Sequence, residues 1–486
     1  LAEVLLAGIF ALVPERVIGA LVEAAEGLKS PLYLCGGAVR DLLLGRPPLD
    51  LDFTTARAGE LSRLLARTLP ATLVVLDEEE QAWRLVWKGR DLDITGMRDP
   101  SAEIVDDLKL RDFTINAMAV RIDQESLARG SGELIDPCGG EGDLAAGVVR
   151  MVSTKAFADD PLRRLRAFRF AACLDLVVDD RTMAELSRQE GSLAKVARER
   201  VDHELELIMA CGRAGPTFEQ MRDNAVLAEI IPELIVGRGV KQPASHHLDV
   251  LDHGLAALCA IEEVNRDPAR WYPDSGHDFY KWLSRGNNRR NLCWAALLHD
   301  IGKPLSRGMK GERITFYNHD QAGAREVAKI AGRLRWSRKQ REQVARLVRL
   351  HMWPFHLNNA RRKTGIRPRA CLKIYRAAGD DLAGLFLLAM ADSIAGRGPG
   401  RPETMEADLA ELYREVIGVV RERISPLHKR PPLLTGHDLK DMGIAPGPIY
   451  KKILEAIFAA QVNGELTSPE EAAAFVETFL SGSGQS

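Results

Sequence analysis

Residues 31–55 read PLYLCGGAVRDLLLGRPPLDLDFTT, and no other stretch limits the fold as tightly. The apolar run Leu32–Cys35 predicts a strand, Gly36-Gly37 a tight turn, Ala38–Leu44 a short helix and Leu49–Thr54 a second strand. Two glycines before a helix let backbone N–H groups approach a phosphate, and the helix dipole favours the negative charge. Arg40 follows one turn into that helix as a phosphate partner. Asp50 and Asp52, two apart on a strand, point to one face, and Asp91 and Asp93 repeat the spacing. Carboxylates crowded on one face repel unless a cation sits between them. Hard oxygen ligands are what Mg²⁺ prefers, and two such ions give the layout of nucleotidyl transfer. Asp-x-Asp alone reads as a solvated strand face; with Gly-Gly just upstream the functional reading is the better one.

The rest of the 486 residues divides by texture, and the length suggests three or four domains. Residues 1–150 mix short apolar runs (Thr72–Leu76, Leu85–Trp87, Leu92–Thr95) with helical stretches, which predicts an α+β head with a mixed sheet. Beyond it the pattern is helical: Arg-rich helices over 151–235, a second unit over 236–400, and a helical tail over 401–486. Every histidine except His203 lies beyond residue 240.

Apolar residues at 46% and charged residues at 28% are ordinary for a globular protein. Lys plus Arg (66) nearly balances Asp plus Glu (68), which argues against a globally basic nucleic-acid binder and leaves room for a local basic groove. No apolar run approaches the ~20 residues of a membrane span. No signal peptide is expected, and seven scattered cysteines without a CxxC pair fit a reducing cytoplasm.

GGAVRDLLLGRPPLDLDFTT closely resembles the signature of class II tRNA nucleotidyltransferases and the related bacterial poly(A) polymerases, of the polymerase-β-like superfamily. Further stretches agree in order: RDFTINAMA (Arg111–Ala119), credited in the family with ribose recognition; DPCGGEGDL (Asp136–Leu144); ADDPLRRLRAFRFA (Ala158–Ala171), the nucleotide-selecting motif; and ERVDHEL (Glu199–Leu205). The resemblance covers roughly residues 25–235 and implies a polymerase-β-like head followed by an all-α neck. It implies attack of a tRNA 3′-hydroxyl on the α-phosphate of CTP or ATP. Asp50 and Asp52 would hold Mg²⁺, with Asp93 as a third carboxylate. Gly36, Gly37, Arg40, Arg111, Asp112 and Asn116 would bind triphosphate or ribose.

Asp160 and Arg163 are three apart and share one helix face. A carboxylate accepts from an exocyclic amino group and a guanidinium donates to a ring acceptor. That pair suits cytosine and adenine and mismatches uracil and guanine. The resemblance assigns Asp160 and Arg163 this templating role. Asp160-Pro161 also reads as an N-cap followed by proline at the first helical position. Arg164, Arg166 and Arg169 extend the basic face toward triphosphate or RNA, or pair with nearby acids. Two departures stand out: Leu110 replaces a second arginine common in the family, and only residues 99–106 separate Arg98 from Asp107. Full CCA-adding members usually carry a longer loop there, so the segment points either to a partial enzyme, such as one adding only C, or to a short loop that still works.

His253, His299-Asp300 and Asp392 form an H…HD…D pattern resembling the all-helical HD phosphohydrolase superfamily. His319 and His351 fit the places where that superfamily binds a second metal or a phosphate. Mixed His and carboxylate ligands suit Mn, Ni, Fe, Co or Mg. The implied activity is phosphodiester or phosphomonoester hydrolysis, for example at RNA ends. Residues 433–454 resemble the tail of bacterial members, with Lys451 and Lys452 as RNA contacts or part of a plain packing unit. Arg285, Arg289, Arg290 and Arg361–Lys363 are RNA contacts or solvated surface. The alternatives are a poly(A) polymerase of the same superfamily, and an HD metal phosphohydrolase whose N-terminal half binds RNA.

Overall fold

The computed structural model describes residues 3–79, 81–98 and 103–483. Of the short segment after Arg98, residues 99–102 lie outside the described residues. The chain forms two compact units: residues up to Ile208 with Asn224–Glu229, and Met209–Asp223 with the chain from Ile230 onward.

The first unit is built on an eight-stranded mixed sheet. Its strands are β1 (Glu3–Leu5), β2 (Tyr33–Cys35), β3 (Leu51–Thr55), β4 (Ala71–Asp77), β5 (Ala82–Trp87), β6 (Arg90–Gly96), β7 (Ala119–Arg121) and β8 (Ser131–Ile135). They lie in the order β1-β8-β7-β2-β3-β6-β5-β4. The β3–β6 pair is parallel and its neighbours are antiparallel. Strand alternation separates two faces. Leu51, Phe53, Leu85, Leu92 and Ile94 are fully buried in the core. The residues between them carry the charges: Asp52 is the register partner of Asp93, and Asp93 of Arg84. Three adjacent strands thus place an acid, an acid and a base side by side on one face.

Strand β3 begins at Leu51, so Asp50 sits in the turn before it and Leu49 is largely exposed. Pro47-Pro48 supplies no N–H to a ladder, which delays the start of pairing. Helix Arg163–Leu174 likewise starts later than the Asp160-Pro161 pattern predicts. Asp160 is extended at φ −142° and ψ 102°, the conformation its following proline imposes. Its carboxylate still accepts the Leu162 N–H at 3.1 Å, so it caps a turn leading into the helix.

Among the described residues the second unit is helical except for one hairpin, Arg307–Lys310 with Arg313–Phe316. Helices Val250–Arg266, Asn288–Leu298 and Leu382–Ala395 pack together, and the last is buried along its whole length. Among the described residues no helix is long and apolar enough to cross a membrane.

Candidate functional sites

In the first unit a cleft of about 1080 Å³ is lined by Gly36, Gly37, Arg40, Asp50, Asp52, Arg111, Asp112, Asn116, Asp160, Arg163, Arg166 and Arg169. Positions scattered over 134 residues of sequence therefore meet at one surface. Gly36 has φ +68°, and a Cβ there would lie 2.9 Å from the Arg111 guanidinium, so the turn demands glycine. Burial, with Asp93 and then Asp50 nearby, pushes the Asp52 carboxyl up to about 6 although Arg111 opposes the rise. This is the electrostatic state of an acidic pocket shaped for a cation.

The basic residues are mostly held in place by partners. Arg40 donates from Nη1 to Asn116 Oδ1 (2.7 Å) and from Nε to Asp41 (3.1 Å). Asp112 accepts from the Phe113 N–H (2.8 Å) and Asn116 Nδ2 (3.2 Å), and pairs with Arg166 at 2.8 Å. Burial alone would raise the Asp112 carboxyl; Arg166 and these donors hold it below its ordinary value. Arg166 ties the loop carrying Asp112 to helix Arg163–Leu174. Arg169 pairs with Glu204 at 2.5 Å and lies over the Phe170 ring. Arg163 donates to the Ala156 and Leu110 carbonyls, both at 3.3 Å. Arg200 donates to Asp160 Oδ2 at 2.8 Å, so with Oδ1 on the Leu162 N–H each oxygen of that carboxylate has one partner.

Arg164 is buried completely and faces away from the cleft, pairing with Glu229 (2.7 Å) and donating to the Leu186 carbonyl (3.0 Å). It is a structural residue, not a contact for triphosphate or RNA. Asp93 is not among the lining residues of the cleft: Arg84, which the sequence reading missed, holds both its oxygens.

In the second unit the helices bring His253, His299, Asp300, His319, His351 and Asp392 together, all buried. Asp300 is shared between two groups. Its Oδ2 lies 3.1 Å from His299 Nε2 and 3.6 Å from His253 Nε2; its Oδ1 lies 3.5 Å from His319 Nε2 and 3.6 Å from His351 Nε2. Asp392 Oδ1 adds contacts at 3.1 Å to His253 and 3.6 Å to His299. The Nδ1 atoms of His299, His319 and His351 each lie 2.7–2.8 Å from a backbone carbonyl. A carbonyl only accepts, so Nδ1 carries a proton and Nε2 is the nitrogen turned inward, free to ligate when the ring is neutral. His319 Nε2 and His351 Nε2 face one another at 3.2 Å. Asp300 Oδ1 and His299 Nε2 are buried without a hydrogen-bond partner, while Asp300 Oδ2 is met by Lys303 Nζ at 2.5 Å. Inward imidazole nitrogens around an unsatisfied carboxylate oxygen are what a divalent cation satisfies, and the donor set fits one. Burial holds His319 down at about 4, whereas Asp300 and Asp392 overcome burial and push His299 up to about 10. The site opens into a cavity of about 820 Å³ lined also by His246, Lys303 and Phe316. Sequence reading missed Lys303, whose Nζ lies 2.5 Å from Asp300, and His246.

Of the basic residues offered as RNA contacts in this unit, Arg361 and Arg362 are tied into ion pairs with Glu411, Glu415 and Asp408. Lys451 and Lys452 are exposed on helix Pro448–Asn463.

Comparison with known proteins matches residues 32–150 to the poly A polymerase head domain, 175–236 to the probable RNA and SrmB-binding site of polymerase A, and 250–394 to the HD domain. The A-adding tRNA nucleotidyltransferase of Deinococcus radiodurans is 32% identical over 92% of this chain and 95% of its own length. The CC-adding tRNA nucleotidyltransferase of Thermus thermophilus is 32% identical over 91% and 92%. The fold matches that of Thermotoga maritima CCA-adding enzyme complexed with tRNA, at a TM-score of 0.64 and 22% identity over 99% of this chain and all of that one. The chain is a member of the tRNA nucleotidyltransferase family, an enzyme that joins a poly A polymerase head to an HD domain.

Proposed function

We propose that this enzyme adds C, A or both to the 3′ end of tRNA, drawing on CTP and ATP, in the cytoplasm. The observation that carries the reading is the single cleft in which Asp50, Asp52, Asp160 and Arg163 meet. Asp50 and Asp52 would hold Mg²⁺, which would supply charge neutralisation at the attacking and leaving oxygens. The Gly36-Gly37 turn, Arg40 and Arg111 face the triphosphate, Asn116 and Asp112 the ribose, and Arg166 and Arg169 the remaining phosphate charge. Asp160 and Arg163 read the base edge, accepting from the amino group and donating to the ring acceptor shared by cytosine and adenine. The tRNA 3′-oxygen bonds to the α-phosphorus, the α–β bridging bond breaks, and pyrophosphate leaves. Asp93 acts from the neighbouring strand, where Arg84 orients it.

Residues 1–150 act as the catalytic head, 151–235 as a neck that selects the nucleotide, 236–400 as a metal-dependent phosphohydrolase, and 401–486 as a tail whose Lys451 and Lys452 meet RNA phosphate. In the phosphohydrolase, His253, His299, Asp300 and Asp392 would hold a divalent cation, and His319 and His351 a second one or a phosphate; the cation would supply Lewis-acid activation of the phosphoester.

Two relatives aligned along more than nine-tenths of this chain are named for adding A and for adding CC, which favours a partial specificity. The test supplies tRNAs ending at the discriminator base, at C and at CC with CTP, ATP or both, beside Asp50→Ala/Asp52→Ala. Addition stopping at CC, or of A on the CC end alone, identifies a partial enzyme; CCA on all three identifies a complete one. Long ATP-only tails on many RNAs support the poly(A) polymerase reading. Absence of any Asp50- and Asp52-dependent incorporation rejects transfer and leaves the phosphohydrolase as the activity.

A further inference from the structure

Two sequence features remain without a role: His246, and the run GRGPG at residues 396–400. The structure joins them. Gly398 N–H donates to the Ser245 carbonyl at 3.1 Å, and Gly400 N–H to the Ala244 carbonyl at 2.9 Å. A Cβ on Gly398 would stand 2.4 Å from the Ser245 carbonyl carbon and 2.5 Å from Ala244 O, so this approach requires glycine. The glycine run follows directly on the helix that carries Asp392. It therefore pins the loop before helix Val250–Arg266 against the end of the Asp392 helix.

The side chain delivered there is His246. Its ring centroid lies 4.5 Å from that of His253, nearly perpendicular to it, and a ring nitrogen falls within 4.8 Å of ligating atoms of both His253 and Asp392. His246 also lines the cavity in front of the site. Its Nδ1, like that of His253, is buried without a hydrogen-bond partner, whereas Nδ1 of His299, His319 and His351 is each anchored to a carbonyl. Leaving such an atom unsatisfied costs about 1–3 kcal/mol unless something binds it.

We propose that His246 is an additional imidazole ligand for a divalent transition metal at the His253–Asp392 end of the second unit's site. The inference rests on reading that unit as a metal centre. It makes this end richer in nitrogen than the His319–His351 end, and so selective for Mn, Co, Ni or Zn over Mg.

The test uses the full chain, stripped with a chelator and titrated with Co²⁺, read by visible absorption and by equilibrium binding. His246→Ala and His246→Gln are compared with the wild type, with thermal unfolding as a check on the fold. We expect both variants to bind one Co²⁺ about 10-fold or more weakly, with a shifted visible band. Free imidazole should restore the band in His246→Ala, a rescue that mere repacking would not give. Unchanged affinity and spectrum in both variants overturns the proposal, as does a loss that imidazole leaves unrepaired alongside a lowered Tm. No Co²⁺ uptake by the wild type overturns the reading of the whole centre, an outcome distinct from failure at His246 alone.

Discussion

Arg84 grips Asp93 with both arms of its guanidinium, Nε to Oδ1 at 2.7 Å and Nη2 to Oδ2 at 2.8 Å, while Nη1 reaches Asp91 at 2.9 Å. The pair are register partners on neighbouring strands, and Asp93 is in turn the partner of Asp52. Arg84 therefore fixes one acid beside a second and offsets part of their repulsion. Arg84→Ala should lower incorporation about 10- to 100-fold through lost positioning. It should change stability by no more than about 1 kcal/mol, because the pair is partly exposed. Arg84→Lys should rescue poorly, since an ammonium lacks the fork geometry. Single-turnover incorporation and thermal unfolding measured together check both halves.

Asp52 carries the clearest pH signature. Its carboxyl is raised by burial from the ordinary 3.8 to about 6 in the folded chain. Between those values the folded form holds a proton that the unfolded form has lost, so this group makes stability fall as pH rises, with the full cost reached above about 6. Divalent metal binding at the head should strengthen over the same window, because the ionised carboxylate is the ligand. Asp52→Asn should raise the metal-free Tm at pH 7 and abolish incorporation, with the pH dependence of the Mg²⁺-induced Tm shift lost.

Arg200 holds one oxygen of Asp160 from the adjacent helix, leaving the other on the Leu162 N–H. If this carboxylate reads the base, Asp160→Ala should cut discrimination against UTP and GTP by roughly 5- to 150-fold, the equivalent of one unmatched polar group. Arg200→Ala should move the same ratio in the same direction by less, because it loosens the carboxylate without removing it. Competition between nucleotides on a tRNA ending in CC, or at the discriminator base, gives the ratio directly.

Arg164 and its neighbour Arg163 should part company under mutation. Arg164→Met leaves Glu229 as a buried charge without its partner and should destabilise the first unit by about 3–5 kcal/mol. Arg163→Met, which loses only long hydrogen bonds to carbonyls, should leave the urea midpoint nearly unchanged and impair nucleotide selection.

Much of the head was legible because its signals are local. The glycine turn, the flanking strands and the Asp50–Asp52 spacing all fall within 25 consecutive residues. The H…HD…D pattern was legible for another reason: His and Asp are few enough that their order stands out. Arg84 was hidden because its partner is set by how β5 registers on β6, and strand alternation only says that it faces away from Trp83 and Leu85. His246 was hidden because its place depends on backbone contacts with Gly398 and Gly400, far along the chain. The late start of helix Arg163–Leu174 was readable from Pro161 in retrospect, since proline holds Asp160 extended.

The shared position of Asp300 has a consequence for how a chain with two such sites can change over generations. Each of its oxygens faces a different pair of histidines, so one nucleotide change, Asp300→Asn, strikes both halves of the centre at once. The metal content of the second unit should fall, measurable by elemental analysis. The surrounding helices are held by buried apolar side chains such as Leu255, Trp294 and Leu385, which that change does not touch. A lineage can therefore lose the proposed metal centre in a single step, keep the helical scaffold for whatever else it carries, and regain the centre by simple reversion.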